Sequence, residues 1–75
     1  MLTLDQMRIG EKGRIQSILG EPALVQRLFE MGLLEGEVVQ VLALAPLGDP
    51  IEISFGYSRV SLRRREAAGI QVERV

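Results

Sequence analysis

The chain has 75 residues, 47% of them hydrophobic, and contains no His, Cys or Trp. Its 9 basic and 10 acidic side chains leave a formal charge of −1, which argues against a generic polyanion binder. The absence of Cys excludes disulfides and thiolate metal sites, and the absence of His removes the usual zinc ligand and the usual neutral-pH general base. A chain of this length is one domain, residues 1–75. Area scaling has such a domain bury only about 60% of the surface its unfolded chain exposes. So apolar a composition in so small a domain is expected to leave hydrophobic surface uncovered.

Thr3-Leu4-Asp5-Gln6 reads as a capping box opening one helical turn, with Leu4 and Met7 on a shared face. Gly10 and Gly13 flank a turn. Arg14–Leu19 reads as a strand, Ile15 and Leu19 on one face and Arg14 and Gln16 on the other. Pro22–Met31 is the one convincing helix. Pro22 suits its first position, where the missing N–H is not needed. Leu24, Leu28 and Met31 recur at helical spacing, with Val25 and Phe29 widening the stripe. Gly32 stands where a left-handed C′ residue is wanted, and Leu33 can fold back on the last turn.

The second half reads as β. Val38–Leu44 is apolar and β-branched, with Gln40 its only polar side chain, so both faces are expected to be partly covered. Ile51–Phe55 alternates, with Ile51, Ile53 and Phe55 inward. Gly56–Arg59 makes a tight turn, and Val60 and Leu62 point in. Arg64–Ala68 makes one helical turn closed by Gly69, and Ile70 and Val72 begin a last strand. These elements predict a mainly β fold. Its economical form is a small SH3-like barrel of about five strands, which removes exposed strand edges. The helix is inserted after the first strand and covers one opening, and short helical turns lie near each end.

The segment Arg27-Leu28-Phe29-Glu30-Met31-Gly32-Leu33 resembles the "RL-x-x-MGL" stretch of the FeoA family, the small ferrous iron transport protein A. Ala45-Pro46-Leu47-Gly48-Asp49-Pro50 is similar to that family's loop before the third strand. Ser61-Leu62-Arg63-Arg64-Arg65-Glu66-Ala67 is similar to its "SLR-x-x-EA" ending. The opening Leu4-x-x-Met7 and Gly10-x-x-Gly13-x-Ile15 fit as well, so the resemblance covers nearly the whole chain. It implies an SH3-like barrel. It also implies a partner, the ferrous iron permease FeoB with its cytosolic GTPase domain, whose assembly or GTPase cycle the small protein would modulate.

No enzyme is expected. The nucleophile candidates Thr3, Lys12, Ser17, Ser54, Tyr57, Ser58 and Ser61 have no His to serve them. Glu35 and Glu37 flank Gly36 as solvated charge. Gly10-Glu11-Lys12-Gly13 lacks phosphate-loop spacing and precedes a strand. Asp49 and Glu52 fix no facial ligand set, and an Asp in a Gly-Asp-Pro turn normally bonds its own backbone. No cofactor and no metal site are implied.

Arg59, Arg63, Arg64 and Arg65 form the one basic cluster, but stacking aromatics are sparse and both Phe read as core. The candidate docking residues are Leu44, Pro46 and Leu47 as an exposed apolar knob, Gly48 and Asp49 as the residues shaping it, and Arg59 and Arg63 as a charged face. Leu28, Met31, Gly32 and Leu33 are read as a structural motif. The longest apolar runs fall short of the ~20 residues a membrane helix needs. Met1–Gly10, carrying Asp5 and Arg8, does not read as a signal peptide. A cytoplasmic location is expected, with any membrane recruitment through the partner. A nucleic-acid-binding barrel and a self-associating structural protein are the alternatives.

Overall fold

The computed structural model describes residues 1–75. A short 3₁₀ turn at Leu4–Gln6 leads into strand β1, Lys12–Ile18, and then helix α1, Pro22–Glu30. Strands β2 (Val38–Leu44), β3 (Ile51–Phe55) and β4 (Ser58–Leu62) follow. A 3₁₀ turn at Pro46–Gly48 separates β2 from β3. Helix α2, Arg64–Ala67, carries the chain to β5, Ile70–Arg74. The strands form one antiparallel sheet in the order β4-β3-β2-β1-β5. Dimensions of 28 × 27 × 23 Å show how strongly that sheet curls on itself. The outer edge of β5 is covered by the N-terminal segment, where Thr3 bridges Gln71 and the Val72 N–H donates to the Leu2 carbonyl at 3.0 Å.

The core is wholly apolar. Its sheet contribution is Ile15, Val39, Val41, Ile51, Ile53, Phe55, Leu62, Ile70 and Val72. Leu4, Met7, Leu28, Leu33 and Ala67 close it from the turns and helices. β2 and β3 coincide with the strands expected from the sequence, and the inward positions of β3 follow its alternation. The β3–β4 turn is tighter than expected: Phe55 pairs with Ser58, leaving Gly56 and Tyr57 as a two-residue loop. Gly56 takes φ 56°, as the first loop position of a type II′ hairpin requires.

Expectations for β1 and α1 need correction. The β1–β5 register shifts between Ile15 and Ser17, a β-bulge that turns the strand by one residue. Ile18, opposite Ile70, therefore packs on the core, and Leu19 faces water. Gly13 flanks no turn. It lies inside β1, where a Cβ would meet the Met7 Sδ at 2.9 Å and the Val72 Cβ at 3.1 Å. On α1, Leu28 is fully buried and Leu24 packs beside the core, but Phe29 is 43% and Met31 37% exposed. The helix is short and touches the barrel along one narrow line, so residues to either side of the Leu24–Leu28 row stay wet. Met31 is the C-cap, not part of the stripe.

The helix stop matches its expected form. Gly32 has φ 93°, its N–H bonds the Phe29 carbonyl at 3.0 Å, and the Leu33 N–H reaches back to the Leu28 carbonyl at 2.9 Å. These two bonds are the Schellman pattern, and they deliver Leu33 into the core.

Candidate interaction surface

The loop Ala45–Pro50 connects β2 to β3. A second register shift, between Val41 and Ala43, brings Leu44 opposite Ile51 and against the core. Leu44 is therefore no part of an exposed knob, which reduces to Pro46 and Leu47. Leu47 is 104% exposed relative to a free side chain, and its φ is 72°. It is the one non-glycine residue in the left-handed region, a conformation that costs an L-residue roughly 1–2 kcal/mol. No burial offsets that cost.

The loop is nevertheless held firmly. Within it, the Gly48 N–H donates to the Ala45 carbonyl at 2.7 Å and the Ala45 N–H to the Pro50 carbonyl at 3.0 Å. From outside, Arg64 of α2 fixes it. The Arg64 Nε donates to the Gly48 carbonyl at 3.0 Å, and its Nη1 donates to the Asp5 carbonyl at 2.7 Å. The Asp49 carboxylate accepts the Arg64 backbone N–H at 3.0 Å. Asp49 thus bonds α2 and not its own turn, contrary to the sequence expectation. Gly48, at φ 81°, lies so close that a Cβ there would meet the Arg64 Nη2 at 3.2 Å.

The basic cluster of the sequence is divided by the fold. Arg64 is the loop clamp. Arg59, on β4, pairs with Glu52 at 3.8 Å. Arg63 and Arg65 instead line a cleft with Arg27 of α1, Pro50, Ser61 and Glu66. Arg27 was not legible as a member, because α1 and α2 are far apart in sequence. Glu66 accepts the Arg63 backbone N–H at 2.8 Å and lies 3.8 Å from the Arg27 guanidinium. Further apolar exposure lies around α1, at Leu19, Phe29, Met31 and Leu34, and at Tyr57 on the hairpin tip. The apolar surplus is thus spread over more than the β2–β3 loop.

One carboxyl has a shifted titration. The Glu11 carboxylate accepts the Arg8 backbone N–H at 2.7 Å and the Arg74 Nε at 2.8 Å. These donors, the backbone one first, hold its pKa below the usual carboxylate value. The half-buried side chain ties the turn before β1 to the end of β5. No helix is long and apolar enough to cross a membrane.

Known proteins share this arrangement. A Porphyromonas gingivalis Fe(2+) transport protein A/Fe(2+) transporter FeoB fusion protein is 35% identical over 72 residues. Those residues are 96% of this chain but 8% of the fusion, so the chain spans a small part of that relative's length. The solution structure of Chlorobium tepidum FeoA superposes with a TM-score of 0.95 at 38% identity, covering 99% of this chain and 70% of that one. A crystal structure of Stenotrophomonas maltophilia FeoA with zinc, a prokaryotic SH3 domain protein, gives a TM-score of 0.84 at 28% identity. That match covers 97% of this chain and 91% of the other, and it accords with the SH3-like barrel expected from the sequence. The FeoA domain model matches residues 2–74, nearly end to end. With that match and a superposition that takes in 99% of the chain on Chlorobium tepidum FeoA, the chain belongs to the FeoA family.

Proposed function

We propose that this chain is a cytoplasmic accessory protein of ferrous iron uptake. It docks on the cytosolic GTPase part of a FeoB-like permease and biases that partner's assembly or GTPase cycle. The observation that carries this reading is Leu47, which is fully exposed and held at φ 72° on a clamped loop. A conformation that costs free energy and gains no contact within its own fold points to a contact outside it. The fusion of FeoA and FeoB segments in the Porphyromonas gingivalis relative supports the choice of partner.

A standard interface takes about 800 Å² per side. That is about a sixth of this chain's 4699 Å², an area one face can supply. Pro46 and Leu47 form the apolar centre of the proposed contact. Gly48 and Asp49 shape it, and the exposed Arg59 and Arg63 provide charged rim contacts.

The test is co-purification with the GTPase domain of the cognate permease, in each nucleotide state, using wild type and Leu47→Asp. The variant is expected to stay folded and to lose retention. A folded Leu47→Asp protein retained as well as wild type would remove the loop as the docking site. Absence of retention of wild type in every nucleotide state would remove the partner.

A further inference from the structure

The cleft between α1 and α2 has a chemistry distinct from the Leu47 loop. Its basic part, about 430 Å³, is lined by Arg27, Pro50, Ser61, Arg63, Arg65 and Glu66. A second hollow, about 320 Å³, shares Arg65 and Glu66 and continues to Leu19, Gly20, Glu21 and Leu24. Arg27, Arg63 and Arg65 face a single carboxylate, Glu66, which already accepts the Arg63 N–H and faces Arg27. The side chains of Arg63 and Arg65 enter no hydrogen bond or ion pair, whereas those of Arg14, Arg64 and Arg74 are bonded within the fold. Three arginines against Glu66, with Glu21 at the far end beside the two leucines, leave a local surplus of positive charge at the arginine end on a protein of net charge −1.

We infer that this cleft is a docking groove for an acidic segment of a protein partner: carboxylates meet Arg27, Arg63 and Arg65, and an apolar side chain sits on Leu19 and Leu24. Arginine forks pair carboxylates in bidentate fashion, and the other end of the groove offers Leu19 and Leu24 beside Glu21, so the occupant combines acidic with aliphatic residues. A nucleic acid fits less well. No aromatic side chain lines either hollow to stack a base. The net negative charge of the whole domain opposes a long polyanion but leaves a short acidic stretch unaffected beyond a Debye length. The inference shares with the proposed function the premise that the ligand is a protein and one side chain, Arg63, at the border of the two surfaces; Arg27, Arg65, Leu19 and Leu24 belong to the groove alone.

The test is a nuclear magnetic resonance titration of the ¹⁵N-labelled full chain. The ligands are a short peptide of alternating Leu and Glu, the same peptide with Lys for Glu, and a single-stranded DNA oligonucleotide. The Leu/Glu peptide is expected to shift the Arg27, Arg63 and Arg65 resonances together with those of Leu19 and Leu24, saturably and less at high salt. A double substitution of Arg27→Gln and Arg65→Gln, which leaves Arg63 in place, is expected to weaken that binding about tenfold. Both side chains are exposed, and unchanged core resonances would show that the fold is intact. Leu47→Asn and Arg59→Gln are expected to leave peptide binding unchanged, which separates this groove from the loop. Shifts scattered outside the cleft, equal shifts with the Lys peptide, or tighter binding of the oligonucleotide at the same arginines would overturn the inference.

Discussion

Replacing Leu47 with asparagine is expected to stabilise the domain while weakening its docking. The side chain is fully exposed, so truncation forfeits no buried apolar area. The backbone at φ 72° costs a leucine roughly 1–2 kcal/mol, and asparagine relieves part of this by bonding locally in the left-handed region. A net gain of about 0.5–1 kcal/mol follows. For a domain of this size, 1 kcal/mol moves Tm by about 4–8 °C, so thermal unfolding followed by circular dichroism should show a rise of about 2–8 °C. Glycine at the same position removes the strain more fully but loosens the unfolded chain by about 0.4–1 kcal/mol, and its gain is expected to be smaller. In the co-purification assay the asparagine variant is expected to lose about 1–2 kcal/mol of binding, the scale of a central apolar anchor. A fall in Tm would mean that Leu47 makes native contacts that the exposed geometry denies. A rise in Tm with undiminished binding would mean that the strain serves some other purpose.

Arg64→Ala removes donors to the Gly48 and Asp5 carbonyls and should cost about 2–3 kcal/mol in chemical denaturation, with Arg64→Lys recovering little because one ammonium cannot reproduce the fork. Gly69→Ala would drive a Cβ into the Leu19 carbonyl oxygen, and a loss of about 3 kcal/mol is expected. Gly13→Ala, which meets mainly the flexible end of Met7, should lose only about 1 kcal/mol. Equal effects at the two glycines would contradict the packing described. Gly32→Ala should cost about 1 kcal/mol or more through its φ of 93°, read by the same denaturation curves. Glu11 is an acid whose folded pKa is lowered, so its contribution to stability is present above the usual carboxylate range and is lost as pH falls through the folded value. A carboxyl-carbon titration should give a midpoint below the ordinary one, and Arg74→Gln should move it upward.

The β elements were legible where alternation was strict. Ile51–Phe55 places its inward and outward residues as the pattern requires, and the helix stop at Gly32-Leu33 was readable because only a few residue types suit that geometry. Leu19 and Leu44 were misplaced for one reason. Each follows a β-bulge, and an extra residue reverses the face of everything after it. Gln-Ser-Ile-Leu carries only a blurred alternation as a sign of the first bulge, and Val-Leu-Ala-Leu carries none, because every residue in it is apolar. The helical spacing of Phe29 and Met31 predicts core positions that stay wet, because periodicity reports which residues share a helix face, not how much of that face the partner covers. The roles of the adjacent arginines were illegible in principle. Arg63, Arg64 and Arg65 are chemically alike, and only the placement of α2 against the loop sends Arg64 to Gly48 and Asp5 and leaves its neighbours in the cleft.

The clamp and the strained loop belong to one energetic argument. An exposed loop that orders only on binding charges its conformational entropy against affinity. Here the bonds from the Arg64 side chain to the Gly48 and Asp5 carbonyls, and from the Arg64 N–H to the Asp49 carboxylate, set the loop's shape before any partner arrives. Folding a domain this small leaves little stability in reserve, so an unfavourable Leu47 conformation persists only because those bonds over-determine it. The two residues should therefore fail differently. Leu47→Asn should reduce docking and raise stability, whereas Arg64→Ala should reduce both with Leu47 still present. If Arg64→Ala kept full docking at a temperature where it is folded, the loop would find its bound shape without the clamp, and its rigidity would serve the fold alone.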